Sequence, residues 1–479
     1  MTRWRPVVIG LGALALLAFT VGVAAAPSRP VPVFGAPALL EGTGTTFTEP
    51  RVAFRRDGTR YVISNTGTGT AVIYSSRNGS EWDRLPPLTG QVSPSPDTDI
   101  VVTRTGRMIA SELEGLPATS IFTAYSDDCG RTWHSSVGMV PVDTDRQWFA
   151  AGRDDPTTHQ PRVYLLWHNL FSGLATHNMY VQTSTDNGAS FGPPIPVTLP
   201  GSQAFLDLQC GDSGGPSGIV VSPKDGSVIV SFGTRSADVG GGCGASVTGD
   251  TEVNIVAATR HWVVSSPDGS PGSWKQSLAV DDSKSKRIVA GQLAGLAVDR
   301  AGNVYVAYPE SGVQGTSERS AVRYVWAKPG LAHWSKPVTV AKQSTAGHLL
   351  VHIAAGDPGR LMLAYMAGVD TLRGAMWYSM AAAVDGGLGS SPKIRQVQLM
   401  SGPAFTGEAD ELEGRCGFGP TAGIQNGVIC GRIPDVYGMG VAPNGRVTIA
   451  WPASKDAGGE GGTYVSTEVK GFSLYARGR

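Results

Sequence analysis

Sixty-four glycines and 32 prolines in a 479-residue chain that is 41% hydrophobic, seven recurrences of a turn followed by a five-residue β run, and a serine-aspartate-glycine-aromatic phrase that occurs twice predict one fold class. It is all-β: a seven-bladed β-propeller of four-stranded antiparallel blades, with six blades as the alternative count. Short strands joined by glycine and proline turns suit this composition better than helices do.

The seven runs come in order. They are Arg60 to Ser64 after Asp57-Gly58, Arg107 to Ser111 after Thr105-Gly106, Val163 to Trp167 after Gln160-Pro161, and Val228 to Phe232 after Asp225-Gly226. Val304 to Tyr308 follows Ala301-Gly302, Leu361 to Tyr365 follows Pro358-Gly359, and Val447 to Trp451 follows Asn444-Gly445. Another apolar run precedes most of these turns, as at Val52 to Phe54, Gly295 to Val298 and Met439 to Ala442, and a second hairpin follows most of them. Two hairpins per unit make a four-stranded meander, and such units close radially. The last unit has few strands after Trp451, essentially Gly462 to Lys470, so a strand from the other terminus is expected to complete it, with Ala38 to Phe47 the candidate. An open ring would expose a sheet edge to pairing with other chains.

Ahead of the propeller, Arg3 and Arg5 precede an uncharged apolar run from Val7 to Ala26. The pattern predicts a signal peptide over residues 1–25, cleaved after Ala25, and hence a secreted protein; an uncleaved membrane anchor carrying an extracellular propeller is the alternative. Residues 26–40 are rich in proline and alanine and read as a linker, leaving 41–479 as a single propeller domain, expected to be a monomer.

Lysine plus arginine equals aspartate plus glutamate, 39 each, with no basic run to track a phosphate backbone, so nucleic acid is excluded as an expected partner. The five cysteines, Cys129, Cys210, Cys243, Cys416 and Cys430, lack zinc-ligand spacing. Pairs Cys210 with Cys243 and Cys416 with Cys430 are the economical disulfides in an exported chain, with Cys129 left over.

The repeated phrase is Ser126-x-Asp128-x-Gly130-x-Thr132-Trp133, and again Ser184-x-Asp186-x-Gly188-x-Ser190-Phe191. Aspartate bonds backbone amides ahead of it, glycine accepts positive φ, and the aromatic buries area against a neighbouring sheet. Weaker echoes occur at Ser75, Arg77, Gly79, Glu81 and Trp82, at Ser266-Pro-Asp268 leading to Trp274, and at Lys328-Pro-Gly330 leading to Trp334. The phrase resembles the Asp-box of the sialidase-like, BNR-repeat propellers of secreted bacterial type. In that family the boxes hold blade edges and do no chemistry, so the resemblance implies a fold and, by association, action on or recognition of glycans.

The phrases Asp97-Thr-Asp99, Asp145-Arg-Gln-Trp148, Trp167-His168-Asn169 and Arg432-Ile-Pro-Asp435-Val-Tyr437 resemble further sequence of that family, at the loops leading into innermost strands. Sialidases hold the substrate carboxylate with three arginines and use a tyrosine nucleophile assisted by a glutamate, with an aspartate as acid/base. The resemblance implies Arg146, Arg287 and Arg432 as the carboxylate clamp, with Asp97, Trp148 and His168 lining the channel. It implies Tyr437 as nucleophile, Glu411 (or Glu408) as its partner, and Asp99 (or Asp97) as acid. An Arg-Ile-Pro phrase expected near the first blade is absent, and Arg51 in Pro-Arg-Val stands there instead. The most specific reading is exo-α-sialidase-type hydrolysis; the alternative is a non-catalytic propeller binding a glycan or a protein.

A third reading comes from Gly211-Asp-Ser213-Gly-Gly-Pro216, which matches the nucleophile segment of trypsin-like proteases. That mechanism needs a histidine ahead of the serine, and the first available is His134, outside the usual setting. No cofactor is expected. Calcium at Asp97, Asp99, Asp145 and Asp435 is conceivable, but their spacing does not compel it.

Overall fold

The computed structural model describes residues 31–40, 43, 49–66, 70–88, 94–114, 120–138, 144–169, 177–211, 215–238, 257–284, 289–290, 294–310, 320–342, 347–371, 374–406, 424–425, 428–429, 437–454 and 461–476. The predicted signal segment lies outside them. Seven antiparallel sheets form seven blades whose strands run outward from the innermost in chain order, except that the outermost strand of blade 7 comes from the N-terminal side of the chain. The innermost strands are Arg51–Phe54, Pro94–Val102, Thr144–Asp154, Pro216–Val221, Gly295–Val298, Gly347–Ala355 and Gly438–Val441. Each packs on the next, and the seventh packs on the first, so the ring is closed.

All seven predicted runs form the second strand of a blade, for example Arg60–Asn65, Val228–Thr234 and Val447–Ala453. Six of the turns before them place a glycine at positive φ: Gly58, Gly106, Gly226, Gly302, Gly359 and Gly445. Blade 3 has no glycine there. His159 takes the left-handed conformation, φ 55°, and Asp155 accepts the amides of Thr157 and Thr158 to hold the turn.

Ring closure differs from the expectation in its residues. The outer strand of blade 7 comes from Val33–Phe34 and Ala38–Leu39, which pair antiparallel with Gly462–Lys470. The closing segment therefore begins earlier than Ala38 to Phe47 and overlaps it at Ala38–Leu39, and Val33–Phe34 and Ala38–Leu39 of the expected linker are blade. Leu40, at 1% exposure, packs with Val62, Val72 and Val465 between blades 7 and 1, which is why the apolar residues of this Pro/Ala-rich stretch are drawn in. Past the last strand the chain continues under its neighbours. Phe472 and Leu474 are buried in the cluster between blades 6 and 7, and the amide of Asp357 bonds the Leu474 carbonyl.

Both full boxes have the predicted geometry. Ser126 Oγ accepts the Gly130 amide at 2.8 Å, and Asp128 Oδ1 accepts those of Arg131 and Thr132. These bonds, led by the Thr132 amide, hold Asp128 down to about 2. Ser184 and Asp186 repeat the pattern on Gly188 and Ser190. The echoes in blades 1 and 4 are boxes shortened by one residue, in a different register from the one expected. Ser76 Oγ accepts the Gly79 amide while Asn78 accepts those of Ser80 and Glu81. Likewise Ser266 accepts the Gly269 amide and Asp268 that of Ser270. Thus blade 1 has an amide where an acid seemed lost. Several box glycines also lean on the preceding blade: a Cβ on Gly188 would lie 2.6 Å from Ile109 of blade 2, and one on Gly269 would lie 3.2 Å from Tyr164 of blade 3.

The chain is not β throughout. A single turn and a half of helix, Gln203–Leu208, capped by Ser202, precedes blade 4. Its buried Asp207 accepts from Trp262 and pairs with Arg260 at 3.1 Å, so the insertion is tied to blade 4.

Candidate functional site at the ring axis

At or near the start of each of the first three innermost strands, charged residues stand in close succession: Glu49-Pro-Arg51, Asp97-Thr-Asp99 and Asp145-Arg146. Because these strands stand side by side around one axis, the residues converge. Arg51 of blade 1 stacks 3.6 Å from the Trp148 ring centre of blade 3, and its charge is felt at His352 of blade 6. Contacts between blades that are not neighbours must pass across the axis, which places the cluster there.

A bulge puts Arg146 into this space. Pairing with the second strand slips between Asp145 and Trp148, and Arg146 adopts φ 54°, a conformation costly for a non-glycine residue and common at functional positions. Asp145 accepts the Arg146 amide at 2.9 Å. The Arg146 Nη1 donates to Glu49 at 2.7 Å and lies 3.2 Å from Asp97. Gly215 leaves the room that this requires, since a Cβ there would stand 2.9 Å from Arg146 Cγ and 3.1 Å from His168 Nε2.

The carboxyl groups differ in proton affinity. Burial drives Asp97 well above the ordinary range, with Glu49 and Asp145 adding to the effect and Arg146 opposing it. Burial also pushes Asp99 up to about 6, against Arg51 and the amides of Phe149 and Ile100. Burial works the same way on Asp145, but His168, 3.7 Å away, Arg146 and Asp97 outweigh it and hold Asp145 at about 2. Burial would lower Arg146, yet Asp97, Glu49 and Asp145 raise it, so it remains a cation. Burial keeps His352 neutral, down to about 3. Asp97, driven up by burial, thus stands beside Asp145, which is held down, a separation of the kind that acid/base chemistry uses.

Of the residues expected from sequence, Asp97, Asp99, Arg146, Trp148 and His168 belong to this cluster. Trp148 anchors its indole N–H on the Pro216 carbonyl at 2.8 Å. Tyr437 is placed elsewhere. It is 1% exposed in the apolar cluster between blades 6 and 7, its hydroxyl 2.8 Å from Ser379 Oγ, and burial raises its proton affinity far above that of a free phenol. Arg287, Arg432, Glu408, Glu411 and Asp435 lie outside the described residues, as do Ser213, Cys243, Cys416 and Cys430. Cys129 is unpaired, its sulfur 2.8 Å from Arg55 Nη1.

The trypsin-like reading fails on architecture, because a propeller replaces the paired barrels and His134 is exposed on the outermost strand of blade 2. Among the described residues no group of three or more acid, histidine or cysteine side chains is placed to hold a metal ion, and Asp435 lies outside them.

Sequence reasoning missed Glu49, Gln147 and His352, and gave Arg51 only as a stand-in. Glu49 and Arg51 carried a usable signal, since they stand at the start of the first innermost strand as Asp97-Asp99 and Asp145-Arg146 stand near the start of the second and third. His352 follows Leu350 at φ 54° in a bulge of blade 6, which sequence does not reveal.

No family model matches the chain, and no curated protein matches its sequence. Solved structures do resemble it. A polysaccharide lyase, an ulvan lyase bound to -[GlcA(1-4)Rha3S]-, aligns over 93% of this chain and 97% of its own at 13% identity and TM-score 0.51. The intramolecular trans-sialidase from Ruminococcus gnavus, in complex with oseltamivir carboxylate, aligns over 89% and 95% at 10% identity and TM-score 0.43. The fucose-binding lectin of Aleuria aurantia, a six-bladed propeller, aligns over 76% and 97% at 10% identity and TM-score 0.39. At these identities the likeness is one of fold: the chain is similar to the ulvan lyase in being a propeller.

Proposed function

We propose that this propeller acts on glycans at its axis, by acid/base chemistry carried by Asp97, Asp99 and Asp145. The carrying observation is the convergence of Asp97 and Asp145 on Arg146, with Asp97 3.2 Å from its Nη1 and Asp145 on its amide, where burial drives Asp97 up while His168, Arg146 and Asp97 hold Asp145 down. Cleavage of a glycosidic bond needs a carboxylic acid to protonate the leaving oxygen and a second carboxylate to act on the sugar or on water. Asp99 or Asp97 supplies the first role and Asp145 the second. A shared fold with a polysaccharide-acting propeller suits this reading without carrying it.

Sialoside hydrolysis is the specific version that the Asp-box resemblance implies. It requires guanidinium groups free to take a sugar carboxylate, and Arg146 already serves Glu49 and Asp97. In that version Arg287 and Arg432 supply the clamp.

The test is a panel of aryl glycosides, sialosides included, and of polysaccharides, with release of phenol or of reducing ends as the readout. Turnover of at least one substrate, lost in Asp99→Asn and Asp145→Asn proteins that retain the wild-type unfolding midpoint, is expected. Saturable glycan binding without turnover would make the propeller a lectin-like module. Absence of both binding and turnover across the panel would sink the reading.

A further inference from the structure

The last two residues of the phrase Gly211-Asp-Ser213-Gly-Gly-Pro216 lie against the axial site. Gly215 takes φ 123°, a conformation that suits glycine. A Cβ there would stand 2.9 Å from Arg146 Cγ, 3.1 Å from Arg146 Cβ and 3.1 Å from His168 Nε2. The backbone thus comes as near to both side chains as a residue without a side chain of its own permits. One residue on, the Pro216 carbonyl accepts the Trp148 indole N–H at 2.8 Å. Pro216 is itself fixed, since it pairs with Phe232 on the second strand of blade 4 and its ring sets its φ.

Arg146, Trp148 and His168 belong to the first two strands of blade 3, so one segment of blade 4 backs three side chains of its neighbour. Blade 3 does not fix them unaided. Its pairing slips between Asp145 and Trp148, so the ladder leaves Arg146 unheld. Asp145 stands among the residues that are backed in this way: its carboxylate accepts the Arg146 amide at 2.9 Å and lies 3.7 Å from His168 Nε2. A carboxylate that acts on a sugar or a water has to be held in place by what surrounds it.

We infer that Gly215 is a positioning residue of the axial site: the Gly215-Pro216 segment of blade 4 sets where Arg146, His168 and Trp148 stand and, through the first two, aims the Asp145 carboxylate. The inference rests on the reading of the axis as an acid/base site for glycans. It gives the phrase that matches a protease nucleophile segment a role in the propeller, as the wall behind the site.

The test uses the full chain and a glycan of the panel that the unsubstituted protein turns over. Gly215→Ala sets a methyl group against Arg146 and His168, and a misplacement of about 1 Å at a reacting group costs on the order of 100-fold. A fall in kcat of roughly tenfold or more is expected, with KM little changed. The pH profile supplies a readout that a packing role would not move. Asp145 faces Arg146 on its own strand, His168 on the second strand and Asp97 from blade 2; burial raises it, and these three lower it. With His168 and Arg146 displaced, the acid limb of kcat/KM should move to higher pH. Gly211→Ala is the control, in the same phrase at φ 112° with no atom of the described residues within 4 Å of its Cβ position; it should leave both readouts unchanged. Pro216→Ala adds no atom and so meets no clash, but it frees φ and loosens the same segment. It should shift kcat and the acid limb in the same direction by less, and it decides the matter should Gly215→Ala fail to fold. If these two variants match Gly211→Ala in kcat and acid limb, the inference is overturned while the glycan site stands. A fall in kcat that only tracks a lowered unfolding midpoint, with the limb unmoved, reduces Gly215 to packing and overturns it too. If the unsubstituted protein turns over no glycan, the reading of the site falls first and takes this inference with it.

Discussion

Replacing Gly188 by alanine measures how firmly one blade is pinned to the next. Gly188 sits at φ 84° at the tip of the second full box, and an added Cβ would stand 2.6 Å from Ile109 Cγ1 and 3.0 Å from its Cδ1. Ile109 is wholly buried on the second strand of blade 2, so it has nowhere to retreat. The left-handed conformation alone costs an alanine roughly 1–2 kcal/mol. Overpacking a close-packed contact adds about 1–3 kcal/mol, for a total of roughly 2–5 kcal/mol. Gly201 is the control: its φ is 82°, and nothing lies within 4 Å of its Cβ position. Gly201→Ala should therefore cost only the conformational part, roughly 1–2 kcal/mol. Urea unfolding of both variants, and of each Gly188 form in an Ile109→Ala background, closes a cycle. Ile109→Ala is itself costly, about 2–5 kcal/mol, but in its presence Gly188→Ala should fall back to the Gly201 value, giving a coupling of about 1–3 kcal/mol. Equal losses at Gly188 and Gly201, or a coupling near zero, would refute the claim that the box tip packs against the preceding blade.

Glu49→Ala strands the buried Arg146 with one partner fewer and should destabilise by about 3–5 kcal/mol. Asp238→Ala, which removes a 52% exposed partner of Arg260, should cost about 1 kcal/mol or less; thermal melts compare the two. Asp99, raised to about 6, favours the folded state most below the ordinary carboxylate range, and this contribution is lost as pH rises through 6. The slope of stability against pH between about 4 and 6 should accordingly flatten in Asp99→Asn, and with Asp99 as the acid the log of kcat/KM should decline above pH 6. Ending the chain at Gly471 removes Phe472 and Leu474 from the cluster between blades 6 and 7. At about 1.5–3 kcal/mol per buried side chain, the loss should be roughly 3–6 kcal/mol, read as a lowered denaturant midpoint.

What sequence made legible follows from where repetition is enforced. Every blade needs the same corner before its second strand, so Gly58, Gly106, Gly226, Gly302, Gly359 and Gly445 recur and mark the blades by themselves. The exception, His159, shows that left-handed geometry is the requirement and glycine only its cheapest supplier. Boxes are less legible. Moving the glycine from four residues after the serine to three, as at Ser76-Arg77-Asn78-Gly79 and Ser266-Pro267-Asp268-Gly269, leaves the hydrogen bonds intact and breaks the pattern. The closing strand at 33–39 was hidden because an outermost strand is recognised only by its partner, and its Pro/Ala-rich composition reads as linker until Gly462–Lys470 lies beside it.

The axial cluster was half legible for a related reason. Asp97, Asp99, Asp145 and Arg146 fall near the start of innermost strands, and their position in the repeat marked them. Their meaning depends on who faces whom across the axis, and residues from blades 1, 3 and 6 have no reason to share a spacing. Arginine in such a place suggests anion capture only while its counter-ions are unknown. Once Glu49 and Asp97 are seen on Arg146, and Asp99 beside Arg51, the same residues read as ion pairs among the described residues of the axis. The architecture thus separates two demands: the corners and boxes repeat because each blade must meet its neighbour in the same way, whereas the axis carries chemistry because seven differing strand ends meet there.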